Sequence, residues 1–82
     1  MAIERNWRKR INRDPAILRG SPVITGTRVP IEIVLGSLAS GMSTDEVCEG
    51  YRLTESDIQA ALAYATDLVA RQKRRPIPPK SG

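Results

Sequence analysis

The sequence predicts a mainly α-helical domain, in which a short amino-terminal β-hairpin precedes three helices spaced as a helix-turn-helix. Three observations support this fold class. The chain has 82 residues, no Phe and one Trp, so its core must be built from aliphatic side chains. Two helix starts carry complete capping signals. A Gly-Ser-Pro cluster separates two short apolar pairs near the amino terminus, which is typical of a hairpin.

The hairpin is predicted from the apolar pairs Ile17-Leu18 and Val23-Ile24, which "RGSP" separates. Glycine and proline in such a cluster favour a turn. Proline also removes a ladder donor, so it marks the start or edge of a strand. We therefore expect two short strands here.

The first helix is expected to begin at Pro30, because the missing amide hydrogen of proline costs nothing in the first turn. Gly41 provides a left-handed stop. Between them, apolar residues recur at helical spacing: Ile31, Val34, Leu35 and Leu38.

The second helix has a capping box and a hydrophobic staple at its start. Ser43 is the cap and Glu46 lies three residues later, while Met42 and Val47 are placed to pack against each other. These signals predict a helix over residues 44–51.

The same pattern returns before the third helix, where Thr54 caps and Asp57 follows three residues later. Leu53 and Ile58 form the staple, and the helix is predicted over residues 55–72. Three prolines follow in a basic tail and cannot continue it. One face of this helix is expected to be apolar, with Ile58, Ala61, Leu62, Ala65, Leu68 and Val69.

Charge divides the chain into three parts. Residues 1–19 carry a net +4, residues 20–70 a net −5 and residues 71–82 a net +5. This division predicts a basic flexible arm over residues 1–10, a domain over 11–72 and a basic Pro-rich tail over 73–82. Basic ends on an acidic body indicate polyanion contact by the ends. The candidate nucleic-acid-binding residues are Arg5, Arg8, Lys9, Arg10, Arg13, Arg19 and Arg28.

The third helix is a poor candidate for reading DNA bases. Its first turn carries Glu55 and Asp57, which have the wrong sign for phosphate. Its exposed face offers only Gln59, Tyr64, Thr66 and Asp67. Trp7, within the basic arm, is expected either to stack on a base or partner or to fold back on the domain.

Residue inventory argues against an enzyme. The chain has no His and a single Cys, which removes the usual general base and the usual zinc ligands. Cys48 lies inside the second helix and is expected to be an ordinary half-buried thiol. Asp45, Glu46 and Glu49 are accounted for by capping and the helix dipole. We expect no catalytic residue, metal or cofactor.

The stretch "ITGTRVP" joins the second strand to the first helix. Gly26 is expected to supply a positive-φ backbone, and Thr27 to tie the turn through its hydroxyl. Arg28 has Glu32 four residues later and is expected to pair with it. The corner is interpreted as architecture rather than as a ligand site.

Residues 11–65 resemble the small bacterial family catalogued as domain of unknown function 433. The elements that carry the resemblance are an Ile-x-x-x-Pro start, a Gly-x-Pro-x-Ile-x-Gly-Thr-Arg strand, a Gly-x-Ser turn and a Tyr-x-Leu-Thr helix entry. In this chain they are Ile11 and Pro15; Gly20, Pro22, Ile24, Gly26, Thr27 and Arg28; Gly41 and Ser43; and Tyr51, Leu53 and Thr54.

The resemblance implies a homeodomain-like or winged-helix-like fold. It also implies a VapB-type antitoxin that pairs with a PIN-like ribonuclease toxin and represses its own operon by binding operator DNA. Arginines of the tail would then pair with the metal-holding carboxylates of the nuclease. The candidate toxin-binding residues are Arg71, Lys73, Arg74 and Arg75.

Two alternatives stay open: a stand-alone DNA-binding repressor and a structural protein-interaction adaptor. The chain has no signal-like or long apolar run, so we expect a cytoplasmic protein without a membrane partner. A chain this short buries only about 60–65% of its surface. We therefore also expect a homodimer.

Overall fold

A computed structural model of the chain describes residues 6–72. Within them a 3-10 helix over Trp7–Arg10 leads into strand β1, Ile11–Asn12, and a second 3-10 helix over Leu18–Gly20 precedes strand β2, Val23–Ile24. Three helices follow: α1 is Ile31–Ala39, α2 is Thr44–Tyr51 and α3 is Glu55–Gln72. The prediction of a mainly helical domain with a short amino-terminal hairpin is confirmed.

The predicted hairpin exists, but its first strand is not Ile17-Leu18. Strand β1 pairs antiparallel with β2, with Ile11 opposite Ile24. Leu18 has φ 47°, a left-handed conformation that no regular strand accepts. The turn is set by Asp14, whose carboxylate accepts the Ala16 amide at 2.9 Å, as Asx turns do. The prediction made from adjacent apolar residues alone therefore placed the first strand at the wrong position.

Both outer edges of β2 are occupied. One edge pairs with β1, and on the other Val23 forms a bridge with Pro30. The Ile31 amide donates to the Pro22 carbonyl at 2.9 Å, and the Ile24 amide donates to the Val29 carbonyl at 3.0 Å. Strand β2 is thus paired on both edges immediately before the chain enters α1.

Helix α2 begins with the predicted capping box. Ser43 Oγ accepts the Glu46 amide at 3.1 Å, and the Ser43 amide donates to Glu46 Oε1 at 2.8 Å. The helix ends at Arg52, which adopts the left-handed conformation at φ 58° while the Leu53 amide donates to the Cys48 carbonyl at 2.9 Å. This is a Schellman-type end with arginine where glycine is usual.

Helix α3 begins with the second predicted box. The Thr54 amide donates to Asp57 Oδ2 at 3.0 Å, and Thr54 Oγ1 accepts the Asp57 amide at 3.2 Å. Helix α1 ends at Ala39, and Gly41 supplies the predicted left-handed stop just after it, with φ +107°. The bounds predicted for α2 and α3 are confirmed.

The core lies where α1, α2 and the first half of α3 meet β2. Helix α3 has 18 residues, whereas α1 has 9 and α2 has 8, so its second half extends past its partners. The predicted apolar face of α3 is only partly buried, because Leu68 and Val69 lie in this second half and Leu62 faces solvent between buried Ala61 and Ala63. Leu62, Leu68 and Val69 are 46%, 47% and 59% exposed. The buried cluster consists of Ile24, Ile31, Val34, Val47, Leu53, Ile58 and Ala61.

Within residues 6–72, no helix combines the length and apolarity that crossing a bilayer requires.

Candidate functional site

The 3-10 helix Trp7–Arg10, which lies in the segment predicted to be a flexible arm, packs along α3. The Trp7 ring meets the Tyr64 ring edge-on at a centroid distance of 6.4 Å, and the Arg8 guanidinium lies 4.5 Å from the Trp7 ring centre. Of the two expectations for Trp7, the structure has it folded back on the domain. Trp7 is half-buried there, while the adjacent Arg8 and Lys9 stay exposed.

Two of the candidate nucleic-acid-binding arginines are engaged by carboxylates of α3. Arg8 lies 3.5 Å from Asp67, and Arg10 lies 3.3 Å from Asp57. Asp57 is thereby shared between the cap of α3 and Arg10. An arginine that is already paired must lose that ion pair in order to bind phosphate. Arg8 and Arg10 should therefore contribute less to polyanion binding than unpaired arginines do.

The other predicted cations in the described part of the chain are exposed and form no ion pair within residues 6–72. Arg13 donates from Nε to the Gly20 carbonyl at 3.2 Å, so it is held beside the loop that carries Arg19. These residues are Lys9, Arg13, Arg19 and Arg28. Arg5 lies outside the described residues.

Of the candidate toxin-binding residues, Arg71 lies on the last turn of α3. Its Nε is 3.0 Å from Asp67 Oδ2, so Asp67 pairs with both Arg8 and Arg71. Lys73, Arg74 and Arg75 lie outside the described residues.

The corner between β2 and α1 is built as predicted, except at Arg28. Gly26 has φ +82°. Thr27 Oγ1 donates to the Ile24 carbonyl at 2.8 Å and accepts the Val29 amide at 3.0 Å. The predicted Arg28–Glu32 pair is wrong: it is not among the ion pairs of residues 6–72. Because α1 starts at Ile31, Arg28 precedes the helix, and the one-turn spacing does not apply.

The exposed face predicted for α3 has few polar groups available to a ligand. Thr66 donates its hydroxyl to the Leu62 carbonyl at 2.8 Å within the helix. Asp67 is engaged by two arginines, and Tyr64 packs on Trp7. Only Gln59 is left as an exposed polar side chain of that predicted set.

Cys48 is half-buried, and burial raises the pKa of its thiol above the ordinary 9.0, with the negative charges of Asp45, Glu55 and Asp57 raising it further. A raised pKa lowers the thiolate fraction at neutral pH, the reverse of what activates a nucleophilic cysteine. Within residues 6–72, no three His, Cys, Asp or Glu side chains are grouped as metal ligands would be.

A feature that was not identified from the sequence is a set of exposed apolar side chains, three of which, Leu18, Ile33 and Leu68, line one cavity. All of its members are large aliphatic side chains between 42% and 59% exposed. A signal was present for part of it, because Ile33 falls off the buried period of α1 and Leu68 lies beyond the reach of the shorter helices. The members are Leu18, Ile33, Leu62, Leu68 and Val69.

Comparison with known proteins agrees with the resemblance. The family model described as "Protein of unknown function (DUF433)" matches residues 11–65. "Uncharacterized protein y4eO" of Sinorhizobium fredii is 36% identical over 69 residues, which cover 83% of this chain and 31% of that relative. The chain thus spans about a third of the length of that curated relative. No solved structure matches the chain.

Proposed function

Because the chain belongs to the DUF433 family, whose function is unknown, we propose its function from its own surface and chemistry. It is a non-enzymatic antitoxin that binds and inhibits a PIN-like ribonuclease in the cytoplasm, and with that partner it represses its operon. The observation that carries the proposal is the exposed aliphatic patch of Leu18, Ile33 and Leu68, which line one cavity and are 42–49% exposed. Contiguous apolar patches of this kind mark protein-binding sites.

The chemical inventory supports binding rather than catalysis. The sequence has no His, and the pKa of the Cys48 thiol is raised. Inhibition would come from the basic end of α3 and the tail after it. Arginines placed among the metal-holding carboxylates of a nuclease pair with them and displace the metal. Arg71, Arg74 and Arg75 are the arginines proposed for this role.

The test is coexpression with the nuclease encoded next to the gene, followed by an RNA-cleavage assay on the purified complex. The full chain should copurify with the nuclease and suppress cleavage. The double variant Arg74→Gln with Arg75→Gln should copurify but inhibit less. A nuclease that neither copurifies nor loses activity would refute the antitoxin function.

A stand-alone DNA-binding repressor is the second candidate, and the exposed cations support it. Lys9, Arg13, Arg19 and Arg28 are not used in ion pairs within residues 6–72 and are available to phosphates, which supply affinity with little sequence information. Tight operator binding by the chain alone, with no copurifying protein, would favour this candidate over the antitoxin.

We also propose that the protein is a homodimer. Leu62 and Val69 lie seven residues apart on α3 with 46% and 59% exposure, and Ala65 lies between them, as a helix-pairing stripe requires. Sedimentation equilibrium should give twice the monomer mass. Val69→Glu should give the monomer, and a wild-type monomer at high concentration would exclude the dimer.

A further inference from the structure

Two adjoining cavities, together called the groove, lie beside α3 on the side that faces α1 and the amino-terminal 3-10 helix. The two parts meet at Tyr64 and Leu68, which line both. The part nearer α1 has a volume of about 670 Å³, and the part nearer the 3-10 helix has a volume of about 350 Å³. The two parts differ in chemistry.

The larger part is an apolar trough. Leu18, Ile33 and Leu68 line it and are 49%, 42% and 47% exposed, while Pro22 and Pro30 form its end beside β2. Sites for small molecules usually bury most of the ligand. Because the side chains that line this trough are about half exposed, they would not enclose a small molecule. They are suited to contact with a larger apolar surface.

Positive charge borders this trough. Residues 6–72 contain eight Lys or Arg and eight Asp or Glu, yet the groove is lined by four of the cations and only two of the carboxylates, Glu32 and Asp67. The lining therefore carries a net +2 in a body of zero net charge. The four cations are Arg8, Arg13, Arg19 and Arg71.

We propose that this groove is the docking site for an amphipathic α-helix of a protein partner, with aliphatic residues on one face and Glu or Asp on its flanks. The inference rests on the proposed protein-binding function and adds the surface and the chemistry of the segment that it takes. An amphipathic helix places apolar anchors at i, i+3/i+4 and i+7 into such a groove. Its acidic flanks would pair with Arg13 and Arg19, and with Arg8 and Arg71, the two arginines that contact Asp67.

The backbone around the groove favours a helix over an added strand. Strand addition requires a free sheet edge, but β2 is paired with β1 on one edge and bridged to Pro30 on the other, and β1 has only two residues. The groove walls therefore offer side chains rather than a row of free amides.

Charge also argues against the chain's own tail as the occupant. Residues 73–82 carry Lys73, Arg74, Arg75 and Lys80 and no acidic residue. A segment with a net +4 is repelled by a groove with a net +2. An acidic partner has the complementary sign.

The single Trp of the chain provides a probe within the site, because Trp7 lines the smaller part of the groove. The experiment titrates the full chain with three peptides and follows Trp7 fluorescence. The first is a designed amphipathic helix with Leu anchors and Glu flanks, the second has Lys in place of Glu, and the third is residues 73–82. Saturable binding is expected for the Glu peptide alone, and it should weaken with salt.

Two matched pairs of variants locate the binding. Leu68→Glu should weaken the Glu peptide by about tenfold or more, whereas Ala70→Glu, at an exposed position of the same helix but outside the groove, should not. Arg13→Gln should weaken it more than Arg28→Gln, since only Arg13 lines the groove. Circular dichroism verifies that each variant is folded.

Three results would overturn the inference: no saturable binding of the Glu peptide, equal binding of the Lys peptide, or equal effects of Leu68→Glu and Ala70→Glu. A dimer that Leu68→Glu dissociates and that the Glu peptide does not displace would assign the groove to a second copy of the chain, and would also overturn it. The antitoxin function is tested separately: it fails if the nuclease encoded next to the gene does not copurify with the chain.

Discussion

Replacing Asp57 with alanine tests how the amino-terminal 3-10 helix is fixed to the domain. The Asp57 carboxylate makes two contacts at once: it accepts the Thr54 amide at 3.0 Å and Arg10 Nη1 at 3.3 Å. Its side chain is only 14% exposed, and that of Arg10 is 40% exposed. Asp57→Ala therefore removes half of a capping box and a partly shielded ion pair together.

The two losses have separate magnitudes. Losing a cap contact costs about 1 kcal/mol of unfolding free energy, and losing a partly exposed ion pair costs about 1 kcal/mol more. Asp57→Ala should therefore destabilise the protein by about 2 kcal/mol. In a chain of this size each kcal/mol shifts the melting temperature by about 4–8 °C.

The chain contains its own control for the capping part. Glu46 occupies the same position in the box of α2, where it accepts the Ser43 amide at 2.8 Å, and it forms no ion pair within residues 6–72. Glu46→Ala should thus cost about 1 kcal/mol, and the difference from Asp57→Ala reports the link to Arg10.

Urea denaturation of the two variants, with Arg10→Ala and the double variant Arg10→Ala/Asp57→Ala, completes the measurement. The cycle should give a coupling energy of about 1 kcal/mol between Arg10 and Asp57. Equal destabilisation by Asp57→Ala and Glu46→Ala, or strict additivity in the cycle, would refute the reasoning.

Three further predictions concern two glycines in and after α1, the Cys48 thiol and two of the exposed cations. Gly36→Ala, in the interior of α1 with nothing within 4 Å, should stabilise by about 0.5–1 kcal/mol. Gly41→Ala, at φ +107°, should destabilise by about 1–2 kcal/mol, and thermal melts with the same sign for both would contradict this. Iodoacetamide should alkylate Cys48 with a pH midpoint above 9.0, because the raised pKa keeps the thiol protonated as pH rises; a midpoint below 9.0 would contradict it. If the chain binds DNA, Lys9→Gln and Arg28→Gln should each lower the slope of log affinity against log salt by about 1, and unchanged slopes would remove both from the contact surface.

The parts of the fold that the sequence predicted correctly are set by local rules. The starts of α2 and α3 follow from capping boxes whose partners lie three residues apart, such as Ser43 with Glu46. The turn at Thr27 is equally local, since its hydroxyl contacts Ile24 and Val29. Where a structure depends on neighbours in sequence, the sequence is sufficient.

The incorrect predictions concern features that are determined by contacts between residues distant in sequence. Ile17-Leu18 has the composition of a strand, yet Ile11 pairs with Ile24 instead. Arg8 and Arg10 are both paired with carboxylates of α3, and Arg10 pairs with Asp57, 47 residues away. No local pattern announces such a contact. Periodicity likewise marks an apolar face on α3, but it does not report where the shorter helices stop covering it.

The contacts of Asp67 have a consequence for avidity. Arg8 and Arg71 approach this one carboxylate at 3.5 Å and 3.0 Å, so the first and last described turns of the chain lie at the same corner of the molecule. If Arg8 and Arg71 take part in binding an acidic polymer, a polymer bound by one of them is presented to the other at high effective concentration, so two weak contacts separated by most of the sequence would act together.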